Sequence, residues 1–212
     1  MKKIIVLAMI AACGLQSQAQ IVSSRSSMTT RQVIEEPRNY RGWSTLGIEY
    51  LPSTWKPDNG SSESFSGLAL NWTTAYSLSQ SIPLFLEWGI GAQWSFYSEG
   101  DIKINCISAK IPLNLIYDFQ IPNTTIALDP YFGLRCRGNI WGEEKWEYKG
   151  RSESIDIFDD GNCKRFQVGW QIGIKARFNN SFYVGAGYGT DFNEWADDVK
   201  INEASLSLGL VF

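Results

Sequence analysis

The chain of 212 residues has a formal net charge of −3, so it has no broad basic surface that would neutralise the phosphates of a nucleic acid. It contains no histidine, which excludes Ser-His-acid and Cys-His catalysis, histidine ligation of a metal and imidazole pH switching. The length suits one substantial domain. Aromatic residues make up 14% of the chain, and tryptophan and tyrosine are enriched where a membrane surface meets water.

The first residues have the layout of a secretory signal. Lys2 and Lys3 precede an apolar run over residues 4–12, and small and polar residues follow it. We therefore predict a signal peptide over residues 1–19. The run is far shorter than the ~20 apolar residues of a transmembrane helix. Cys13 also fits a lipoprotein processing box, although the apolar core before it would be unusually short, so lipidation remains an alternative.

Beyond the signal, residues 20–41 are polar and follow neither the helical nor the strand period, and we expect a loosely ordered periplasmic lead-in there. Residues 84–97 and 166–178 then alternate strictly between apolar and small or polar side chains. Such runs reach the ~9 to 11 residues that a membrane-crossing strand needs. Eight strands are predicted within a barrel domain of residues 42–212, over residues 42–51, 65–76, 84–97, 104–119, 126–137, 166–178, 182–192 and 200–212.

The connections between these strands are unequal in length. Short turns alternate with longer or more polar links, as they do when turns lie in the periplasm and loops at the cell surface. Pro112 and Pro130 fall inside the fourth and fifth strands, and each would remove one ladder donor. The predicted turns are residues 77–83, 120–125 and 179–181, and the predicted surface loops are residues 52–64, 98–101, 138–163 and 194–199.

The alternation divides each strand into a bulky apolar face and a small or charged face. In the last strand Ala204, Leu206, Leu208, Leu210 and Phe212 share one face. A soluble, lipocalin-like barrel would have the same alternation with its faces reversed. The interior of eight strands is only just wide enough to be filled by side chains, and the bulky face would not fit inside. We therefore predict an all-β, eight-stranded antiparallel up-and-down transmembrane β-barrel.

This orientation predicts the place of two sets of residues. Charged residues on the small face should pair across the lumen, because an unpaired buried ion loses several kcal/mol of solvation. Aromatic residues on the other face should lie at the membrane interface. The predicted lumen network is Glu49, Glu87, Lys110, Asp129, Arg135, Lys175, Arg177 and Glu203, and the predicted interfacial aromatics are Trp43, Trp88, Trp94, Trp170 and Phe212.

The longest predicted loop, residues 138–163, is acidic and aromatic. Cys136 and Cys163 flank it, and we predict a disulfide between them with Cys106 free; three unpaired strand-end thiols are the alternative. The loop residues could contact a partner or belong to the aromatic girdle, and its oxygen ligands around Gly161 lack the regular spacing of a calcium loop. The candidate surface residues are Trp141, Trp146, Asp156, Asp159 and Asp160, and Asn162 completes the oxygen set.

Two stretches carry a resemblance to a known family. Residues 111–117 (IPLNLIY) and 168–175 (VGWQIGIK), together with the aromatic Phe212, make residues 42–212 similar to the outer-membrane β-barrel domain family, with its eight-stranded OmpA-like and OmpX-like barrels and PorT-like relatives. The resemblance implies a location in the outer membrane and a C-terminal strand that the barrel-assembly machinery recognises. These motifs indicate architecture and carry no chemistry.

We expect a non-enzymatic, cofactor-free integral outer-membrane protein with a structural, adhesive or envelope-complex accessory role through its surface loops. Its expected partners are outer-membrane lipid, the barrel-assembly machinery and an envelope protein, with no nucleic acid. The alternatives are a secreted lipocalin-like carrier of an apolar ligand and, less favoured, a lipid-modifying barrel enzyme. Known barrel enzymes that cut or transfer acyl chains use a histidine beside a serine, and this chain has no histidine.

Overall fold

A computed structural model of the chain describes residues 41–57, 63–148, 151–159, 163–196 and 199–212. The predicted signal peptide, and the lead-in up to residue 40, lie outside these ranges. Within the described ranges, no helix is long and apolar enough to cross a membrane. The strands found there are β1 (Trp43–Tyr50), β2 (Ser53–Pro57), β3 (Glu63–Ser77), β4 (Leu84–Glu99), β5 (Ile102–Tyr117), β6 (Phe119–Gln120), β7 (Ile126–Tyr148), β8 (Arg151–Asp156), β9 (Phe166–Phe178), β10 (Phe182–Asp191) and β11 (Val199–Val211).

Eight of these strands form a closed antiparallel ring in the order β1, β3, β4, β5, β7, β9, β10, β11 and back to β1. Thr45 of β1 lies opposite both Val211 of β11 and Thr73 of β3, so the first and last strands close the ring. β2 continues β1 after a bend and pairs with the same two neighbours. Closure pairs the strand edges, which hydrocarbon would not tolerate unpaired. The predicted eight-stranded barrel is confirmed.

The two ends of the barrel differ. The inner end carries the start of β1 and the end of β11, and the outer end carries β2, β8 and the segments that follow β8 and β10. At the inner end Asn179 and Asn180 have φ of 50° and 48°, a left-handed conformation that asparagine tolerates, within the predicted turn of residues 179–181. At the outer end β4 and β5 are joined through Gly100, whose φ of 57° suits a residue without a Cβ.

The two prolines stay inside strands. Pro112 of β5 lies opposite Arg135, and Pro130 of β7 lies opposite Ile174. On its other side β5 pairs with β4, and that register has no pairs between Trp88↔Leu113 and Gly91↔Lys110. A proline has no N–H to donate, so the ladder is interrupted locally rather than ended.

The predicted loop of residues 138–163 is wrong in its first half. Residues 138–148 continue β7, which is 23 residues long, and Arg151–Asp156 form β8 against its end. β5 also extends outward and pairs with the same part of β7 through Ile102↔Trp146. We call β7 beyond Trp141 together with β8 the outer hairpin. Opposite Ile107 and Ser108 of β5, β7 has one extra residue, Ile140, and this bulge reverses the faces of the β7 residues beyond it, which hides the alternation in the sequence.

Side chains of the ring face as predicted. Leu206, Leu208 and Leu210 of β11 are exposed on the outside, whereas Glu203 of the same strand is buried in the lumen. On β4, Trp88 is 48% exposed and the neighbouring Glu87 only 1%. The bulky apolar face is therefore the outer face, and the small and charged face lines the interior.

Candidate functional site

The middle of the lumen holds two ion pairs. Glu87 of β4 accepts hydrogen bonds from Lys175 Nζ (2.6 Å), Asn114 Nδ2 (2.8 Å) and Thr73 Oγ1 (2.9 Å). Glu49 of β1 lies 2.7 Å from the Nζ atom of Lys110. The two ion pairs, Glu87–Lys175 between β4 and β9 and Glu49–Lys110 between β1 and β5, cross the lumen, so each fixes the distance between non-adjacent strands.

Toward the outer end, two arginines and two carboxylates form a closed set. Arg135 binds Glu203 at 2.5 Å and Asp191 at 3.0 Å, and Arg137 binds Asp191 at 2.5 Å and Glu203 at 3.3 Å. All four side chains are buried. The sequence analysis missed Arg137 and Asp191, although both follow from extending the same two-residue period along β7 and β10.

At the inner end, Arg177 binds the carboxylate of Asp129 and lies 3.0 Å from Asp118. Its guanidinium lies 3.8 Å from the centroid of the Trp43 ring, a cation–π contact. Trp43 therefore faces the lumen, and its predicted place at the membrane interface is wrong. Trp43 and Glu49 are six residues apart on β1, so the two-residue period already placed Trp43 on the lumen face with Glu49. An apolar cluster of Ala75, Phe85 and Ile116, against which Trp43 and Tyr131 pack, fills the lumen there.

The other predicted interfacial aromatics lie on the outer face. Trp88 and Trp94 are about half exposed, and Phe212 is exposed at the end of the chain. Trp170 is partly covered by the Tyr188 ring, whose centroid lies 6.1 Å away. These four side chains face the region where lipid would surround the barrel.

The outer end of the lumen is closed by aromatic rings that the sequence analysis did not single out. Trp55 stacks on Phe65 with centroids 3.6 Å apart and lies 3.9 Å from the Trp195 ring. Phe65 also stacks on Tyr97 at 4.6 Å, and Phe158 meets Trp195 edge-on at 6.5 Å. We call these five residues the outer aromatic cluster. Its members come from β2, β3, β4 and the segments after β8 and β10.

Beyond the outer aromatic cluster, the outward face of the strands becomes polar and the inward face becomes apolar. On β5, Ile107 and Ile111 point outward while Ser108 and Lys110 are buried in the lumen. Further out on the same strand, Lys103 continues the outward face, since it lies opposite Lys145 of β7. The inward positions there are Ile102 and Ile104, opposite Trp146 and Glu144. Lysines on the outward face indicate contact with water rather than hydrocarbon. The outer end therefore has charged side chains outside and apolar side chains inside, as a water-soluble protein does.

The three described cysteines are free thiols. Cys136 lies between the inward-facing Arg135 and Arg137 on β7 and so faces outward, whereas Cys106 is buried in the lumen. Burial, the nearby Cys106 thiol and the Glu144 carboxylate raise the pKa of the Cys163 thiol to about 11. Cys163 forms a backbone bridge with Ala196, beside the buried Trp195, and is not bonded to Cys136, so the structure does not contain the predicted Cys136–Cys163 disulfide.

The candidate surface residues are distributed over the outer hairpin and the segment after it. Trp141 and Trp146 are both exposed. Asp156 accepts a hydrogen bond from the N–H of Phe158 at 2.8 Å, and Asp159 lies 3.7 Å from Arg165. Asp160 and Asn162 lie outside the described residues. Within the described residues, no group of three or more acidic or cysteine side chains could hold a metal ion.

The closed ring, its apolar exterior and its filled polar lumen agree with a comparison against known families. The family model for the outer membrane protein beta-barrel domain matches residues 5–212. The chain belongs to this outer-membrane β-barrel family. It is therefore an outer-membrane protein, and a soluble carrier finds no support, because the face that would line an apolar cavity is the outer one.

Solved structures share the fold of this outer-membrane barrel. Ail of Yersinia pestis, in complex with the heparin analogue sucrose octasulfate, is 18% identical, with 82% of this chain and 100% of that one covered and a TM-score of 0.50. Neisserial surface protein A is 14% identical over 80% and 97% of the two chains, also with a TM-score of 0.50. The outer-membrane enzyme PagL is 15% identical over 77% and 97%, with a TM-score of 0.47. No curated protein sequence matches the chain.

Proposed function

We propose that this outer-membrane barrel is a non-enzymatic scaffold that presents the outer hairpin to the cell exterior, in a structural, adhesive or envelope-complex accessory role. The observation that carries the proposal is the length of β7, 23 residues, of which a membrane crossing uses only ~9 to 11. The remainder is paired to β5 and β8 as a sheet, so what stands above the membrane is ordered structure.

The filled lumen supports a scaffold rather than a channel. Apolar side chains close it at both ends, and ion pairs occupy the space between. A cavity among Glu49, Asn71 and Lys110 has a volume of about 30 Å³. This is room for roughly two water molecules. The barrel is thus a rigid support, and its exposed outer end makes the contacts with other molecules.

The absence of histidine from the whole chain supports the non-enzymatic part of the proposal. The buried carboxylates Glu87, Asp191 and Glu203 are each held by a cation, which leaves them no role as a free acid or base. Mass spectrometry of lipid A and phospholipids from cells with and without the protein tests this point. A protein-dependent change in acyl chains would overturn it.

The scaffold is tested by shortening the outer hairpin. Replacing residues 144–155 by an Asn-Gly turn removes the sheet above the membrane and leaves the eight-stranded ring intact. Both forms are produced in a non-adherent host, and binding of the cells to immobilised proteins and glycans is measured. We expect equal amounts of folded barrel, judged by heat-modifiable migration on gels, and binding only with the intact hairpin. Equal binding by both forms would contradict the proposal.

We also propose that the C-terminal strand delivers the chain to the barrel-assembly machinery. Phe212 is 69% exposed and makes its backbone contacts with Ser44 of the first strand, at the seam where the ring closes. An exposed aromatic ring at this seam is accessible to an assembly factor.

A further inference from the structure

The outer hairpin has one apolar face, and it is the face that continues the lumen. Cys106 and Gly142 are buried and lie opposite each other on the lumen side. Side chains alternate along a strand and opposed residues share a face, so every second residue outward from this pair lies on the same side. Together with the adjoining end of β5, the outer hairpin forms what we call the hairpin inner face, which consists of Ile102, Ile104, Glu144, Trp146, Glu153 and Ile155.

This face is open to solvent. Trp146 is 51% exposed and Ile155 is 50% exposed, although Gly142 on the same face lies against the buried Phe158 ring. Lipid does not cover them, because the side of the sheet that continues the lipid-facing surface carries Glu143, Lys145 and Ser154 instead. Large exposed apolar side chains grouped on one face indicate an interaction surface.

The charges on this face have one sign. Among the side chains described on it, the charged ones are Glu144 and Glu153, and neither forms an ion pair with another described residue. On the opposite face of the same strand, Glu143 pairs with Lys145 at 3.2 Å. The inner face therefore combines an apolar surface with two carboxylates whose counter-charge the described part of the chain does not supply.

We propose, on the basis of the scaffold function above, that the hairpin inner face binds a cationic amphipathic segment of a partner protein. The apolar side of the segment covers Trp146 and Ile155, and its lysine or arginine residues reach Glu144 and Glu153. An anionic lipid headgroup would be repelled by both carboxylates. A second copy of the chain docked through the same face would bring like charges together, which disfavours that occupant.

Binding is measured with the whole protein in nanodiscs of zwitterionic lipid, with empty nanodiscs as the blank. The probe is a fluorescent 14-residue peptide of leucine and lysine arranged as an amphipathic helix. Two matched peptides replace either lysine by glutamate or leucine by serine. We expect the anisotropy of the leucine–lysine peptide to rise on binding. Each matched peptide should bind with an affinity at least tenfold lower, because binding requires both an apolar side and positive charge.

Paired variants locate the site. Glu144→Gln/Glu153→Gln removes two negative charges from the inner face, and Glu143→Gln/Asp156→Asn removes two from the opposite face of the same strands. We expect the inner-face double variant to lose about 5- to 10-fold in affinity, which is the effect of two exposed ion pairs. The opposite-face double variant should bind as the wild type does. Trp146→Ser should weaken binding more than tenfold. Heat-modifiable migration on gels confirms that each variant is folded.

Several results would overturn this partner chemistry: no binding, equal loss in both double variants, preference for the leucine–glutamate peptide, or a Trp146-dependent dimer in sedimentation. These outcomes are distinguishable from failure of the scaffold function. If hairpin shortening abolishes cell binding while the peptide does not bind, the scaffold stands and the proposed cationic partner does not.

Discussion

At the scale of single residues, Ile172 tests which face of the barrel meets lipid. It lies on β9 opposite Phe132 and Tyr188, on the outward side. Ile172→Arg should lower the free energy of unfolding by about 2 to 4 kcal/mol, the cost of an arginine near the middle of the bilayer. Urea unfolding in phospholipid vesicles, followed by tryptophan fluorescence, measures the change. Ser154→Arg, on an exposed position of β8, is the matched control and should be nearly neutral. Equal stability of the two variants would mean that the assigned facing is reversed.

Glu87 tests the lumen network. Glu87→Ala leaves the Lys175 ammonium buried without its carboxylate and should cost about 3 to 5 kcal/mol of unfolding free energy. Removing both charges in Glu87→Ala/Lys175→Met should cost less than Glu87→Ala alone, because no unpaired ion then remains. The same vesicle assay applied to both single variants and the double variant gives the coupling. Additive losses would show that the two side chains do not interact.

Cys163 provides a test of the outer end through its ionisation. Its pKa of about 11 keeps the thiol protonated at neutral pH, and the thiolate is the form that alkylating agents attack. Iodoacetamide modification of Cys163, followed site by site with mass spectrometry, should remain slow at pH 8 and rise only toward pH 11. Glu144→Gln removes one of the three causes and should move the rise to lower pH. Rapid modification of the native protein at pH 8, equal to that of the urea-unfolded chain, would contradict this environment.

At the scale of elements, the strands within the membrane could be predicted from sequence because hydrocarbon enforces a strict alternation. β9 follows it without interruption. The outer hairpin could not be predicted in this way, because the bulge beside Ile107 shifts the register and the apolar face then changes sides. Phe85 and Phe65 close the lumen, and because they are apolar residues on the otherwise polar face, they disturb the alternation in the sequence. The two-residue period of each strand identified the charged residues that face the lumen. Which of them form ion pairs with each other depends on the geometry of the closed barrel, which the sequence does not give.

The C-terminal strand carries a prediction that separates assembly from stability. Phe212→Ser should reduce the amount of folded barrel in the outer membrane of living cells, since the proposed assembly signal is lost. Purified protein refolded from urea into detergent should reach the same folded yield and nearly the same unfolding midpoint as the wild type, because Phe212 is exposed. Val184→Ser on β10, another exposed outward residue, serves as the control in cells. Equal loss in cells and in detergent would assign Phe212 a purely structural role.

At the scale of the whole molecule, the filled lumen predicts an electrically silent barrel. The two arginines held by Asp191 and Glu203 fill the cross-section toward the outer end, and the apolar cluster at Phe85 fills it at the inner end. In planar lipid bilayers the purified protein should give no steady single-channel current at moderate voltage. Arg135→Ala/Arg137→Ala supplies the comparison that removes one of the two barriers. A regular conductance from the wild-type protein would show that these groups move aside.

The closure of the ring between β1 and β11 has a consequence for biosynthesis. β1 (Trp43–Tyr50) is the first strand of the ring in chain order, and one of its two neighbours is β11, the last strand of the ring. A nascent chain that still lacks β11 leaves one edge of β1 and one edge of β10 unpaired, so the ring can close only after β11 has been synthesised. Such a partly made barrel would bring unpaired N–H and C=O groups into hydrocarbon, which favours insertion of all eight strands together over insertion strand by strand.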